Sequence, residues 1–135
     1  MSEADIEVIR DQYAAVNQRD FERAMGHYAD DVVLVVPHAE GVPSPGTYEG
    51  KEAVGRWFGD WFGTFDRDYR LWIEESRDLG EAIFLVASHA GRGRLSGAEV
   101  RGTFAYVYRL VDGKVARVEF YATREEALDA AGVTE

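Results

Sequence analysis

A histidine and two tyrosines of the sequence have side chains that could move or hold a proton. His89 lies in the β-rich run Ile83–Arg92, and Tyr106 and Tyr108 lie in the next run, residues 100–111. Imidazole titrates near neutral pH, which suits a general acid or base. A phenol hydroxyl donates hydrogen bonds that stabilise a carbonyl or enolate oxygen. We therefore predict His89 and Tyr106 as catalytic residues; the alternatives are a hydrogen-bonded histidine without a catalytic role and tyrosines that only pack.

The strands that carry these residues form the centre of the predicted fold. Three consecutive antiparallel strands, residues 83–92, 100–111 and 115–121, are connected by the glycine-containing segments 93–97 and 111–114. Successive side chains of a strand point to opposite faces of the sheet. One face is then predicted to carry Leu34, Val36, Ile83, Leu85, Ala87, His89, Phe104, Tyr106, Tyr108, Ala116, Val118 and Phe120.

This inward-facing set predicts an apolar, aromatic cavity. His38 follows Pro37 and is expected at the mouth of the cavity, with an ordinary loop position as the alternative. Trp57 and Trp61 are expected to stack on a bound ring or, alternatively, to pack in the core. Such a cavity suits a flat, hydrophobic small molecule with one or two polar groups. The predicted substrate-binding residues from this pattern are Leu34, Val36, His38, Trp57, Trp61, Tyr108 and Phe120.

Helices are predicted to cover one face of the sheet. Apolar residues at helical spacing predict helices that end near residue 17, span residues 21–28 and 51–65, and close the domain at 124–131. Ser2 with Asp5 is expected to cap the first helix, and Asp20 the second. Residues 32–36 and 69–75 predict two further strands, and residues 38–50 the longest loop. The order of elements predicts an α+β fold, in which three helices of the N-terminal half and a short C-terminal helix accompany a curved, mixed or antiparallel sheet.

Length and charge restrict the class of protein. A chain of 135 residues, 46% of them hydrophobic, is expected to form one domain, residues 1–135. Its net charge of −10 opposes binding to nucleic acid, because that affinity comes from Lys and Arg. The sequence has no cysteine, and its three histidines lack metal-ligand spacing, so neither a metal nor a cofactor is expected. No apolar run indicates a signal peptide or a membrane span, so we expect a cytoplasmic protein without a membrane partner.

The opposite face of the sheet is predicted to mix charged and apolar side chains. Strand alternation places Arg101, Arg109, Arg117, Glu119 and Tyr121 on this convex face. One interpretation is a solvated surface, and the other is a dimer interface with cross-strand ion pairs. Because Tyr121, Val107 and Ala105 lie among the charges, we expect a homodimer through the convex face.

Five short segments occur in a characteristic order along the chain. They are NQRD at residues 17–20, YADDV at 28–32, GKEAV at 50–54, DGKV at 112–115 and REEAL at 124–128. With these segments the chain resembles, over essentially its whole length, the NTF2-like, SnoaL-like (ketosteroid-isomerase-like) family of α+β cone proteins. The resemblance implies a cone with a pocket. It does not imply one activity, since the superfamily includes isomerases, polyketide cyclases, epoxide hydrolases, dehydratases and members without catalysis.

The catalytic positions of ketosteroid isomerases are occupied by other residue types in this sequence. The position of the carboxylate base is Val36. The phenolic donor aligns with Gln12, or with Tyr13 if the register moves by one residue, and the carboxylic acid donor aligns with Tyr106. The resemblance therefore does not imply a ketosteroid isomerase, and it adds Gln12 and Tyr13 to the predicted substrate-binding residues.

The catalytic positions of limonene epoxide hydrolases, an Asp-Arg-Asp set with a Tyr and an Asn that hold the water, are also occupied by other residue types in this sequence. The Asp of the last strand aligns with Phe120 and the Arg with Ala87, while the Tyr and Asn that hold the water align with Leu34 and Val36. The other Asp position is His89. Without a pair of carboxylates, this hydrolysis has no source of acid and base together.

The function that these observations favour is acid–base chemistry on a small hydrophobic molecule. We expect a SnoaL-like isomerase, cyclase or dehydratase. His89, His38 and Tyr106 loosely resemble the histidine and tyrosine set of scytalone dehydratase, although its acidic partner has no counterpart here. The alternative is a non-catalytic module that binds a ligand or another protein.

Overall fold

Six β-strands and four α-helices make up residues 3–39 and 42–133, which are the residues described by a computed structural model. The helices are α1 (Glu3–Asn17), α2 (Phe21–Gly26), α3 (Lys51–Gly63) and α4 (Arg124–Ala130). The strands are β1 (Tyr28–Val36), β2 (Gly46–Glu49), β3 (Arg70–Asp78), β4 (Ile83–Arg92), β5 (Glu99–Val111) and β6 (Lys114–Tyr121). No helix in these described residues is long and apolar enough to cross a membrane.

The strands form one sheet in the order β2-β1-β6-β5-β4-β3. Neighbouring strands are antiparallel, except that β1 and β6 are parallel. The sheet is curved and does not close into a barrel, and the predicted α+β class is confirmed. Register shifts in β1, in β3 and between β5 and β6 accompany the curvature, because a β-bulge bends its strand.

Three helices lie against the concave face of this sheet because each has an apolar side to bury. Ile9 of α1 and Val54 of α3 are fully buried in the main core. The backbone of Gly50 has φ +91° at the start of α3, a conformation that glycine adopts at little cost. Asp20 begins α2, where its carboxylate accepts a hydrogen bond from the backbone N–H of Arg23.

Several predicted boundaries are corrected. The expected loop over residues 38–50 contains β2, whose backbone pairs with residues 33–36 of β1. The sequence prediction missed this short edge strand because residues 38–50 are rich in proline and glycine. Helix α2 ends at Gly26, so that β1 starts at Tyr28, well before the predicted residue 32. Helix α3 ends at Gly63, two residues early. The predicted cap Ser2 lies outside the described residues, as do residues 40 and 41 of the predicted loop.

Two predicted side-chain directions are also wrong. The register shift between β5 and β6 sets Leu110 opposite Val115, so Val115 enters the core and Ala116 does not. The helical spacing of Val54, Phe58, Trp61, Phe62 and Phe65 predicts an apolar face with Trp57 on its flank. Trp57 is instead one of the most buried side chains of α3, at 6% exposure.

Helix α4 covers part of the convex face. Ala127 and Leu128 of α4 pack with Ala105 and Val107 of β5 in a second apolar cluster. Arg124 holds the helix in place, because its guanidinium donates two hydrogen bonds of 2.9 Å to the carboxylate of Glu75 on β3. Ala105 and Val107 were predicted as dimer contacts, but both are about 1% exposed within a single chain.

Replacing Leu128 with alanine should lower the free energy of unfolding by about 2–4 kcal/mol, because it leaves a cavity between α4 and the sheet. Chemical denaturation measures the change. The matched control is Leu95→Ala, since Leu95 is fully exposed and the same truncation removes no packing. Equal unfolding midpoints for Leu128→Ala and the unmodified protein would contradict the packing of α4.

Candidate active site

A cavity of about 730 Å³ lies between the concave face and the helices α1, α2 and α3. It has the size of a small-molecule site, since such pockets typically measure about 300–1,000 Å³. Tyr106 and Tyr108 of β5 and Phe120 of β6 form its wall on the sheet side. The opposite walls come from α1 and α3.

Aromatic rings from α3 form the largest apolar surface of the cavity. The rings of Trp57 and Trp61 are stacked with centroids 5.7 Å apart and an interplanar angle of 12°. Phe58 and Phe62 stack similarly at 5.9 Å on the neighbouring helix positions. Rings at i and i+4 meet because they lie on the same side of a helix. The cavity therefore presents flat surfaces that suit a planar ligand.

Buried phenols supply the polar atoms of this cavity. The hydroxyls of Tyr13 on α1 and Tyr108 on β5 lie 3.4 Å apart. Burial raises the pKa of Tyr13 and Tyr106 well above 10, and it raises the pKa of Tyr108 to about 12. The hydroxyl of Tyr106 forms no hydrogen bond with any described residue. These groups are neutral near pH 7, and Tyr106 can donate its proton to a ligand oxygen.

Tyr69 connects the cavity to His89. Its ring lines the cavity, and its hydroxyl oxygen accepts a hydrogen bond of 3.2 Å from the indole N–H of Trp61. The same hydroxyl lies 3.0 Å from Nδ1 of His89. Because the indole can only donate, the hydroxyl proton of Tyr69 is free to point to Nδ1. We assign neutral His89 with its proton on Nε2.

The imidazole of His89 is enclosed by rings. It stacks on Trp61 at a centroid distance of 5.5 Å and meets Phe65 and Phe104 at 5.7 and 5.4 Å. It is 6% exposed, and burial lowers its pKa from the ordinary 6.5. The same burial raises the pKa of Tyr69 to about 12. At neutral pH the pair is a phenol that faces an uncharged imidazole.

Two glycines leave room for this pair. A Cβ atom on Gly102 of β5 would lie 2.8 Å from Nε2 of His89, and one on Gly91 of β4 would lie 2.9 Å from the Cα of Tyr69. Both distances are too short for real side chains, so residues other than glycine would displace the imidazole or the backbone at Tyr69. Glycine at positions 91 and 102 thus provides the space that the contact between Tyr69 and His89 needs, although neither residue has a reactive side chain.

The predicted site residues are only partly brought together. Gln12, Tyr13, Trp57, Trp61, Tyr106, Tyr108 and Phe120 line the cavity. Gln12 also donates a hydrogen bond of 3.2 Å to the carbonyl of Ala24, which holds α1 to α2. Leu34 and Val36 are buried in the core and do not line the cavity, contrary to their prediction as substrate-binding residues.

The two predicted histidines lie away from the cavity surface. His38 is exposed on the segment after β1 and does not line the cavity, so its expected place at the mouth is wrong. His89 faces inward as the alternation predicts, but it lies behind Tyr69. Its hydrogen-bond partner is Tyr69 and neither Tyr106 nor Tyr108.

Tyr69 is the residue that the sequence prediction missed. It directly precedes β3, in which Leu71 pairs with His89. Tyr69, Leu71 and Ile73 alternate on one face, so the strand pattern contained the signal once the neighbouring strand was known. Arg19, Asp66, Arg67 and Arg94 at the edge of the cavity were missed as well, because they come from turns and loops without a regular pattern. Among the residues that the structure describes, no group of three acidic or histidine side chains could hold a metal ion.

Residues 9–118 match the sequence model of the SnoaL-like domain. The chain belongs to the SnoaL-like family. The resemblance noted from the short sequence segments is therefore confirmed. None of the curated proteins matches this SnoaL-like domain in sequence.

Solved structures share the fold of this SnoaL-like domain at low sequence identity. TerC, co-crystallised with polyporic acid, is 22% identical with a TM-score of 0.76 over 94% of this chain and 99% of its own. A Mycobacterium tuberculosis protein in complex with estradiol-17β-hemisuccinate is 19% identical, with a TM-score of 0.74 over 92% and 97%. A putative polyketide cyclase from Sinorhizobium meliloti is 23% identical, with a TM-score of 0.64 over 84% and 93%. These likenesses establish the fold.

His89 should stay neutral until the pH falls below 6.5, because burial disfavours its charged form. Nitrogen-15 NMR of the imidazole measures both its pKa and its tautomer. We expect a pKa below 6.5 and a proton on Nε2 in the neutral form. A pKa of 6.5 or above, or a proton on Nδ1 in the neutral form, would contradict the assignment.

The lowered pKa of His89 also makes the free energy of unfolding depend on pH. The unfolded chain binds a proton at His89 more readily than the folded chain does. The stabilisation that neutral His89 gives to the folded state is therefore complete above pH 6.5. It decreases as the pH falls toward the lower pKa that His89 has in the folded protein. His89→Phe is the control, since its stability should depend less on pH over this interval.

Proposed function

We propose that this SnoaL-like domain binds a flat, hydrophobic small molecule and transfers protons on it, as an isomerase, cyclase or dehydratase without a cofactor. The observation that carries the proposal is that Tyr69 lines the cavity and that its hydroxyl lies 3.0 Å from Nδ1 of His89. This phenol can pass a proton between a ligand and an imidazole that the ligand does not touch. His89 is the proposed base, Tyr69 the connecting group and Tyr106 the hydrogen-bond donor.

Proton transfer next to a carbonyl group fits these three residues. In the proposed step, the oxygen of Tyr69 takes a proton from the carbon beside the carbonyl, while the Tyr69 hydroxyl proton moves to Nδ1 of His89. The electron pair of the broken C–H bond forms an enolate, whose oxygen accepts a hydrogen bond from Tyr106.

The three reaction types follow from the fate of this enolate. Return of the proton through Tyr69 to another carbon gives an isomer. Attack of the enolate carbon on a second carbonyl carbon closes a ring, and the proton then goes to the new alkoxide. Loss of a neighbouring hydroxyl, which leaves as water with the returned proton, gives a dehydration.

The neighbours of known structure support the binding part of the proposal. Polyporic acid was co-crystallised with TerC, and estradiol-17β-hemisuccinate is bound to the M. tuberculosis protein. Both ligands contain rings that planar surfaces such as those of Trp57 and Trp61 could contact.

A non-catalytic binding protein is the second candidate. Asp66, the single carboxylate among the described residues of the cavity wall, lies at the edge, where it accepts a hydrogen bond from the backbone N–H of Arg67. Chemistry would therefore depend on one imidazole, reached through one phenol. A domain that only binds its ligand would need neither group to titrate.

The bicyclic ketone 2-tetralone provides a test that needs no knowledge of the natural substrate. We expect the protein to accelerate exchange of its α-protons for deuterium in D₂O, as measured by NMR. Tyr69→Phe and His89→Phe should each slow this exchange by about a hundredfold or more, because each removes a link of the proton path. The affinity of both variants for the ketone, measured by the quenching of Trp57 and Trp61 fluorescence, should differ little from that of the unmodified protein.

Tyr121→Phe is the matched control, because it removes the same hydroxyl from the convex face and should leave the exchange unchanged. Exchange within a few-fold of the parent rate in both Tyr69→Phe and His89→Phe, with binding intact, would refute the catalytic role and favour the binding protein. Absence of binding would refute both candidates for this class of ligand.

We also propose a homodimer through the part of the convex face that α4 leaves uncovered. Val33 and Val35 of β1 lie there beside Arg117 and Glu119 of β6, with which they are in register. An ion pair of 3.3 Å joins Arg117 to Glu119 within the strand. This surface mixes apolar and charged side chains as expected for an interface between copies. The cytoplasmic location inferred from the sequence stays a prediction.

Light scattering at micromolar concentration should give twice the mass of one chain. Val35→Glu should reduce the mass to that of a monomer, because it places an unpaired charge in the interface. The control is Val111→Glu, since Val111 is exposed at the end of β5, and this variant should remain dimeric. A monomeric mass for the unmodified protein would refute the proposed interface.

A further inference from the structure

Three arginines line the edge of the cavity. Arg19 follows α1, Arg67 lies in the turn between α3 and β3, and Arg94 follows β4. Asp66 is the one acidic side chain beside them among the described residues of the wall. In a chain with a net charge of −10, this edge has more basic than acidic groups.

These arginines differ from most others in the protein because they lack carboxylate partners. Eight arginines elsewhere form ion pairs with Asp or Glu: Arg10, Arg23, Arg56, Arg77, Arg92, Arg101, Arg117 and Arg124. Within residues 3–39 and 42–133, none of Arg19, Arg67 and Arg94 forms such a pair. The excess positive charge at the cavity is thus not neutralised by the described chain.

The backbone fixes the place of this charge. Arg19 donates hydrogen bonds to the carbonyls of Arg67 and Tyr69, at 2.7 and 2.6 Å, and so ties the turn before β3 to the end of α1. The backbone N–H of Arg94 donates to the carbonyl of Thr64 at 2.9 Å, which holds the other side of the same turn. The side chains of Arg67 and Arg94 therefore extend from backbone segments that hydrogen bonds hold in place.

The guanidinium groups of Arg67 and Arg94 remain available. Neither side chain donates a hydrogen bond to a described residue. The guanidinium of Arg19, in contrast, donates its hydrogen bonds to backbone carbonyls. A planar guanidinium matches the two oxygens of a carboxylate better than it matches a single neutral acceptor. A ligand whose ring system fills the aromatic cavity would place a terminal group near this edge.

We propose that the ligand is an aromatic or polycyclic carboxylic acid, whose rings lie in the cavity and whose carboxylate is bound by Arg67 and Arg94. This inference rests on the binding part of the proposed function and is independent of the catalytic part. Arg19 strengthens the site as a fixed positive charge. The acidic surface elsewhere repels such ligands, which favours their approach to the cavity edge.

The test compares two ligands of nearly equal shape, anthracene-2-carboxylate and anthracene-2-carboxamide. Calorimetry or quenching of Trp57 and Trp61 fluorescence gives the affinity for each. The unmodified protein should bind the carboxylate about tenfold or more tightly than the carboxamide, since a charged hydrogen bond is stronger than a neutral one. The double variant Arg67→Gln/Arg94→Gln should lose this preference but keep its affinity for the carboxamide.

Arg70→Gln/Arg109→Gln is the matched control. It removes the same charge from two arginines that do not line the cavity; Arg70 lies over the ring of Trp72, and Arg109 donates a hydrogen bond to the carbonyl of Glu81. This variant should keep the preference for the carboxylate. Added salt should weaken carboxylate binding in the unmodified protein and leave carboxamide binding nearly unchanged.

The outcomes separate the inference from the proposed function. Equal affinity of the unmodified protein for the two ligands overturns the carboxylate site and leaves the cavity as a binding site for neutral molecules. A similar loss of preference in the control variant also overturns it, because net charge rather than position would then decide. Binding of neither ligand overturns both the inference and the binding function.

Discussion

The packing of the aromatic side of α3 over a curved sheet is the constraint on which the cavity depends. The rings of α3 are wide, and many of their contacts are with one another, such as the stacked pair Trp57 and Trp61. Val54 and the buried edge of Trp57 reach the sheet and anchor the helix. Stiff rings cannot collapse into the remaining space as flexible aliphatic chains would. An open volume between helix and sheet is the result.

The Tyr69–His89 pair shows what such an environment does to titratable groups. Burial disfavours charge on both, so it moves the pKa of the imidazole down and that of the phenol up. The two groups are consequently held in their neutral forms. A proton that moves from Tyr69 to His89 alone would leave a buried tyrosinate beside the imidazolium. If a ligand proton replaces it at the same time, the negative charge lies on the enolate instead, where Tyr106 can donate a hydrogen bond to it. The geometry thus suits transfers in which both protons move together.

Much of this fold follows from local sequence patterns, and part of the site does not. Alternation along β4 and β5 gives the direction of His89 and Tyr106 correctly, because the side-chain period of a strand is fixed by its geometry. It does not give the hydrogen-bond partner of His89, because Tyr69 comes from another strand segment whose register depends on long-range pairing. Similarly, the inward place of Val115 depends on a bulge, which shifts the alternation by one residue. The arginines at the cavity edge come from turns, where spacing carries no information about which side chains meet.

The parallel pairing of β1 with β6 has a consequence for the order in which the chain can assemble. Strands β3 to β6 are antiparallel neighbours in sequence, so each can pair as soon as the next one is available. β1 has only the four residues of β2 on one side, and its long partner lies some eighty residues further along the chain. β1 therefore gains its place in the sheet only when β6 is available, whereas α1, which carries Gln12 and Tyr13 of the cavity wall, is joined to β3 by hydrogen bonds between Asn17 and Leu71. In a growing polypeptide, the binding site would be completed only after almost the whole domain had been synthesised.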